Sequence, residues 1–382
     1  MAINKEQNIL NVPHLRFPEF HGEWEKCKLG DIATLTKGSG ISKDQRSATG
    51  TPCILYGELY TTYKSEVINY VVSKTDISDK NLVRSCANDI IIPSSGETAI
   101  DISTARCVLS PDVLLGGDLN IIRLKDGDGR FFSYQLNGVR KHDIAKIAQG
   151  VSVVHLYGES IKGLTVSFPS NKEQQKISTL LSLIDERIAT QSKLIEMLES
   201  LIKGIRHNIF KDILGEVLAL SNIADIYQPQ TISSSDLTTE GYWVYGANGL
   251  IGKYKEYNHE TEQICITCRG NTCGTVNYTR PKVWITGNSM VINTDKYQQQ
   301  VNKRFLLHYL SSYNFKSIVS GSGQPQIVRT PLEKIKVVLP TIEKQVRIAN
   351  SIDIVSEKIN TESSVLKLLE NQKQYLLRQM FI

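Results

Sequence analysis

FPSNKEQQKISTLLSLIDERIATQSKLIEMLESLIKGIRHNIFK, residues 168–211, aligns without a gap onto LPTIEKQVRIANSIDIVSEKINTESSVLKLLENQKQYLLRQMFI, residues 339–382, at an offset of 171. Ten of the 44 positions are identical, among them Pro169/Pro340, Gln174/Gln345, Ile177/Ile348, Glu186/Glu357 and Phe210/Phe381. This period lies far above the roughly 20–50 residues of solenoid arrays. The chain is therefore a duplicated half. The match continues upstream: Gly150 with Gly321 and Leu164 with Ile335 at the same offset. At other offsets Leu29-Gly-Asp-Ile-Ala echoes Leu220-Ser-Asn-Ile-Ala, Leu55-Tyr-Gly echoes Val244-Tyr-Gly, Ser95-Gly echoes Arg269-Gly, and Arg130-Phe echoes Arg304-Phe. A changing offset means insertions and deletions between anchors, so each half reads as a variable region followed by a more constant helix.

Periodicity predicts the helices. Ile177, Leu181, Ile184, Ile188, Ile195, Leu198, Ile202, Ile205 and Ile209 step by threes and fours, with Gln191 filling the gap in a heptad seam. The second copy gives Ile348, Ile352, Val355, Ile359, Leu366, Leu369, Leu376 and Met380, with Glu362 opposite Gln191 and Lys373 a second polar exception. Each seam runs about 33 residues, about 50 Å. The simplest burial for two such stripes is against each other, as an antiparallel pair; the alternative is that each helix packs on its own domain. A polar residue inside a seam sets register at some cost in stability, the role expected of Gln191 and Glu362. The variable regions read as mixed α/β, with strand-like runs at Asp89–Pro93, Leu119–Leu124, Gln263–Thr267 and Ser289–Asn293 and helical patches at Phe131–Val139 and Arg304–Leu310.

The 382 residues allow two to three domains. With 41% hydrophobic and 22% charged residues, the composition excludes a wholly disordered or collagen-like chain. No apolar run approaches the ~18 residues of a membrane span. The opening MAINKEQNIL lacks the apolar core of a signal peptide, and seven scattered cysteines suit free thiols in a reducing cytoplasm.

Several catalytic signatures are missing. No acidic residue is followed two positions later by Lys, and no Asn-Pro-Pro or Asp-Pro-Pro occurs. The run Gly246-Ala-Asn-Gly249-Leu-Ile-Gly252-Lys253-Tyr254 is one residue too long for a phosphate loop, and Tyr254 stands where Ser or Thr must reach magnesium. Cys265-x-x-Cys268-x4-Cys273, with His259 as a fourth candidate, fits zinc spacing poorly. What the chain has instead is two sets of polar loops. The first holds Lys37, Lys43, Arg46, Tyr56, Tyr60, Lys64 and Ser95. The second holds Gln228, Gln230, Tyr245, Asn248, Lys253, Arg269, Asn271, Gln324, Gln326 and Arg329. Arg, Lys, Asn and Gln pair with base edges, while Ser, Thr, Tyr, Lys and glycine N–H groups hold phosphates. Singly, such residues are ordinary turn formers; two comparable sets joined by a spacer form a pattern.

Val12-Pro-His-Leu-Arg-Phe-Pro18, Trp24, Leu29-Gly-Asp-Ile32, Tyr245-Gly-Ala-Asn-Gly-Leu-Ile-Gly252, Leu339-Pro-Thr-Ile-Glu-Lys-Gln345 and Leu377-Arg-Gln-Met-Phe381, in this order and with Phe168-Pro169…Gln174 as the first-half counterpart, carry a resemblance over nearly the whole chain. The chain resembles the specificity subunits of Type I restriction–modification systems. The first half departs from the pattern, with Tyr56-Gly-Glu-Leu-Tyr60 in place of Tyr-Gly-Ala-Asn-Gly. The resemblance implies an α+β chain: two target recognition domains of mixed α/β type, each followed by a long α-helix, the helices pairing as an antiparallel coiled coil with an internal pseudo-twofold. The expected divisions are 1–162 and 213–334 for the recognition domains, and 163–212 and 335–382 for the spacer helices.

It further implies a non-catalytic subunit that binds a bipartite double-stranded DNA target and docks two modification (adenine methyltransferase) subunits and restriction/translocase subunits. S-adenosylmethionine, ATP and Mg would then belong to those partners, with no cofactor or metal in this chain and no membrane. Against this stand a stand-alone DNA-modifying or DNA-cleaving enzyme, which turnover by the pure chain would reveal, and a protein-interaction scaffold. The net charge of +5 is mild, but binding needs positive charge only on the reading faces.

Overall fold

The computed structural model describes residues 11–78, 81–247, 249–321 and 323–382. Four helices organise it: α1 (Gly129–Asn137), α2 (Asn171–Lys211), α3 (Lys303–Ser312) and α4 (Ile342–Gln379). The chain divides into two compact units, residues 1–192 with 365–382, and residues 193–364. Each unit thus takes a segment of both long helices.

In the N-terminal unit a five-stranded sheet runs in the order Ala33–Lys37, Leu119–Leu124, Asp89–Pro93, Arg106–Val108, Val67–Ile68. All neighbours are antiparallel except the last pair. Asp89–Pro93 and Leu119–Leu124 are strands over the spans expected from sequence. Their apolar residues fall at adjacent positions, Ile90–Ile92 and Ile121–Ile122, because both sheet faces are buried. Ile90, Ile92 and Ile122 face the main core with Phe131, Phe132 and Leu136 of α1, while Ile91, Leu119 and Ile121 face a second core with Ile54, Leu59 and Ile68.

The C-terminal unit repeats the scheme with a four-stranded antiparallel sheet: Asp225–Tyr227, Ser289–Asn293, Ile264–Thr267, Val276–Tyr278. Ile264, Ile266, Met290 and Ile292 pack with Phe305, Leu306 and Leu310 of α3; Cys265 and Val291 turn to a small cluster with Val283 and Ile285. The helical patches begin slightly earlier than expected, because α1 and α3 are started by capping residues. Asp128 accepts from the Arg130 N–H (2.9 Å) and Asn302 from the Phe305 N–H (2.9 Å).

The same joints recur in both units. Glu25–Lys28 pairs antiparallel with Thr165–Phe168, and Glu216–Ala219 with Lys336–Leu339. The Leu29 N–H donates to Leu164 O (2.9 Å), as the Leu220 N–H does to Ile335 O (2.8 Å). Buried Gln174 accepts from the Asp128 N–H (2.9 Å) and donates to Pro169 O (2.8 Å). Gln345 accepts from the Asn302 N–H (2.8 Å) and donates to Pro340 O (2.9 Å). The repeated Pro-x4-Gln therefore ties the first turn of each long helix to the cap of the helix before it. The Phe210/Phe381 identity has an equally direct reason. Phe381 lies 5.1 Å from Phe131 in the N-terminal unit, and Phe210 lies 5.6 Å from Phe305 in the C-terminal unit. Each long helix thus ends in the unit it did not start from.

Ile177, Leu181 and Ile184 share the main core of the N-terminal unit with Val166 and Phe131, and Leu376, Leu377 and Met380 of α4 join them. Ile348 and Ala349 pack on the core of the C-terminal unit. The first turns of each stripe face a globular core, because a strand leads straight into each helix. Within the N-terminal unit, Lys373 of α4 reaches Asp185 of α2 (2.6 Å) and Glu66.

Candidate nucleic-acid interface

In the N-terminal unit a cleft of about 700 Å³ is lined by Gly40–Lys43, Gln45, Arg46, Leu55–Glu58, Tyr60 and Gly117–Asp118, among others. It gathers four residues expected from sequence: Lys43, Arg46, Tyr56 and Tyr60. The turn carrying the two cations is set locally, since the Ser42 N–H donates to Gln45 Oε1 (2.8 Å). Arg46 is aimed from two sides. Its Nε donates to Lys43 O (3.3 Å), and its Nη1 lies 3.7 Å from Glu58 Oε1.

Glu58 is the first of the three residues that depart from Tyr-Gly-Ala-Asn-Gly. It is buried, accepts from the Leu55 N–H (2.9 Å) and from Ser73 Oγ, and so pins the Tyr56–Tyr60 turn. Burial, with Tyr56, Glu97 and Asp101 nearby, pushes the Tyr60 hydroxyl up, so it stays a neutral donor. Lys37, at the end of its strand, and Lys64 are exposed but do not line this cleft, and Ser95 sits in a short ladder opposite His155. Next to Lys37, a side chain on Gly38 would strike the carbonyls of Leu115 and Gly116, so the loop can leave the strand there only as glycine.

In the C-terminal unit a cleft of about 350 Å³ is lined by Tyr227, Gln228, Cys268, Arg269, Met290 and Gln326–Arg329. Arg269 bridges to Gln326, and the Gly270 N–H donates to Pro325 O (3.0 Å), which fastens the two loops together. Asn271 and Gln324 are exposed on the same two loops. Tyr245 and Lys253 lie apart from the cleft, on the hairpin of Tyr242–Gly246 and Gly249–Tyr254. The Tyr245 ring packs against the small cluster around Cys265, so much of it is scaffold. Lys253 rests over Trp243 (5.3 Å to the ring centre) and near Glu240 (3.7 Å). The hairpin end is held where Ser289 Oγ donates to Gly246 O (3.1 Å) and Thr267 Oγ1 to Ala247 O. Asn248 lies outside the described residues.

The thiol run does not converge. Cys265 and Cys268 join different apolar clusters, and burial pushes the Cys265 thiol up to about 12, against the thiolate a metal needs. His259 is engaged elsewhere, with Tyr227 Oη (2.9 Å) and Asn258 Oδ1 (2.6 Å) on its two ring nitrogens. Among the described residues no group of three or more His, Cys, Asp or Glu is placed to hold a metal ion. Gln191 is half-buried and Glu362 largely buried, the latter paired with Lys358 one turn earlier. Among the described residues no helix is long and apolar enough to cross a membrane.

Comparison with known proteins gives the same picture. The Type I restriction modification DNA specificity domain matches twice, over residues 21–200 and 215–371. The Type I restriction enzyme MjaVIII specificity subunit of Methanocaldococcus jannaschii is 24% identical, covering 99% of this chain and 96% of its own length. The crystal structure of the Type I restriction–modification S subunit from M. genitalium superposes with a TM-score of 0.71 at 20% identity, covering 97% of this chain and 99% of that one. A chain from a structural study of complex assembly and conformational transition of the type I R-M system has a TM-score of 0.55 at 15% identity, with 97% and 99% covered. With two specificity domains, duplicated joints and an α+β fold, the chain belongs to the specificity-subunit family of Type I restriction–modification systems.

Proposed function

We propose that each unit reads one half of a bipartite double-stranded DNA target, and that the long helices, paired antiparallel as a coiled coil, set the distance between the halves. The observation that carries this reading is repetition of the frame with divergence of the loops. The joints at Leu29/Leu220, Gln174/Gln345 and Phe210/Phe381 recur, while the loops they support offer Lys43, Arg46 and Tyr60 in one unit and Gln228, Arg269 and Gln326 in the other. Two reading units of one design with different side chains suit a split, asymmetric site. Readers on one face of B-DNA sit about one turn, ~34 Å, apart, within the reach of a ~50 Å spacer. Gln191 and Glu362 fix the register of that spacer; unchanged stability in Glu362→Leu would count against this.

The chain itself is non-catalytic in this reading and works in the cytoplasm. Two modification subunits supply S-adenosylmethionine-dependent adenine methylation, and restriction subunits supply ATP- and Mg-dependent translocation and cleavage. A doubled partner is supported by apolar side chains left in solvent at repeat-related positions: Leu183 and Ile354 (54% and 68% exposed), and Met197 and Leu368 (61% and 67%). Methylation mapping of DNA modified by the assembled complex tests the proposal. A single bipartite motif is expected, its one half altered by Arg46→Ala and its other by Arg269→Ala with Asn271→Ala. DNA affinity should fall steeply with salt. Retained affinity and an unchanged motif in all three substitutions would make these loops scaffold.

A further inference from the structure

We infer that the hairpin Gln149–His155 is a base-reading element of the N-terminal unit, with Val151 set against thymine methyl groups and His155, backed by Tyr157, on a neighbouring base edge. This rests on the reading that the chain binds DNA.

The hairpin has a twin. The Gln149 N–H donates to His155 O (2.9 Å) and the His155 N–H returns to Gln149 O (2.7 Å); Ser320 and Gln326 exchange the same two bonds, both 2.8 Å. Gly150 and Gly321 follow the first bonded residue in each, at φ of +124° and +93°. A side chain on either would strike the carbonyl three residues on, that of Val153 or Gln324. Each hairpin also pairs with the loop that the repeat predicts, His155 with Ser95 and Gln326 with Arg269. His155 therefore occupies the place of Gln326.

The chemistry at the two tips differs. The C-terminal tip carries Gln324, an amide suited to a polar base edge. The N-terminal tip carries Val151-Ser-Val153, with Val151 97% exposed and Val153 53%. Turn tips are ordinarily polar, and a fully exposed valine contributes nothing to folding. Two valines are far too small for a protein interface of about 800 Å² per partner. They match the one apolar feature of the major groove, the thymine C5-methyl. The His155 ring stacks on Tyr157 (6.2 Å, 28°), which fixes its plane as an edge-reading group needs.

The test uses the full complex with modification subunits, selecting from DNA randomised at the target, for the parent, Val151→Ser and His155→Ala. Both positions are exposed, and matching melting curves establish that the variants fold. The expected result is relaxed preference at one or two positions of a single half-site, roughly 5- to 150-fold for an edge contact. Replacing thymine by uracil there should weaken the parent about fourfold, the worth of one buried methyl, and leave Val151→Ser unaffected. Unchanged preference in both variants, or loss spread equally over both half-sites, overturns the inference. A parent complex with no sequence preference overturns the DNA reading itself.

Discussion

Lys373 is the side chain whose removal tests the fold most sharply. It is buried, it interrupts the apolar seam of α4, and its ammonium lies 2.6 Å from Asp185 and also meets Glu66, 307 residues away in sequence. Burial pulls its pKa down, but the two carboxylates outweigh that and hold the ammonium above its ordinary value. Lys373→Met strands two buried carboxylates. Breaking a buried pair from one side costs about 3–5 kcal/mol. For a unit of about 200 residues, at about 2–4 °C per kcal/mol, that is a fall in Tm on the order of 10 °C. The loss should be read in urea melts at neutral pH. Adding Glu66→Gln and Asp185→Asn should restore most of it, since the penalty belongs to uncompensated charge. In the parent the pH window set by Lys373 is alkaline. The raised Lys373 contributes its stability below about pH 10.4 and loses it as the pH climbs through its folded value. If Lys373→Met melts within about 1 kcal/mol of the parent at neutral pH, Lys373 is not a buried counter-ion and the C-terminal segment does not belong to the N-terminal unit.

Three further outcomes are expected. Gln345→Ala should cost about 1–3 kcal/mol, because it orphans the half-buried Asn302 N–H, and Gln174→Ala should cost at least as much through the buried Asp128 N–H; urea midpoints measure both. Phe381→Ala, next to the last residue, should destabilise by about 3–5 kcal/mol and speed amide exchange in α1 through its lost packing on Phe131. His308 and His259, both buried in the C-terminal unit and both held down at about 4, should make that unit acid-labile. Unfolded histidines bind protons below about pH 6.5, so stability should fall between about pH 6.5 and 4, by about 3 kcal/mol for each; His308→Gln with His259→Gln should flatten the profile.

How much of this was legible in the sequence depends on whether the partner lies near in the chain or at a fixed offset. Asp89–Pro93 and Ser289–Asn293 could be read because burial on both faces leaves three adjacent apolar residues, and Leu119–Leu124 because Ile121 and Ile122 lie side by side. The joints could be located, as identities at an offset of 171, but not explained: nothing in Pro-x4-Gln says that the amide holds the cap of α1 or α3. Lys373 was visible only as a flaw in a heptad, since Glu66 and Asp185 meet it through tertiary packing. In the candidate site, Lys43, Arg46, Tyr56 and Tyr60 do line one cleft, and Arg269 and Gln326 another. Tyr245 was read as a contact because Tyr-Gly-Ala-Asn-Gly looks like a loop, yet the first two residues end a strand and the ring is half-buried. The role proposed for His155 and Tyr157 is not legible in the sequence, because the twin hairpins share a glycine and hydrogen bonds, not side chains.

That division has a physical consequence for how such a chain can diverge. Lys64, Asn271, Gln324 and Val151 are exposed, and substitutions at exposed positions usually stay within about 0.5 kcal/mol. Gln174, Gln345, Phe381 and Lys373 are buried, and each carries a cost of a kcal/mol or more. Exposed loops are therefore free to diverge while the frame is held. Even the frame tolerates a change where the hydrogen-bond pattern can be rebuilt. Tyr134 of α1 donates to Asp185 (2.8 Å), and at the related place in α3 His308 donates from Nε2 to Asp353 (2.7 Å) while Arg206 reaches its Nδ1 (3.1 Å). The tyrosine keeps its proton throughout the physiological range, whereas a second proton on His308 would collide with the Arg206 donor. One position, two solutions, and only the second gives its unit a sensitivity to acid.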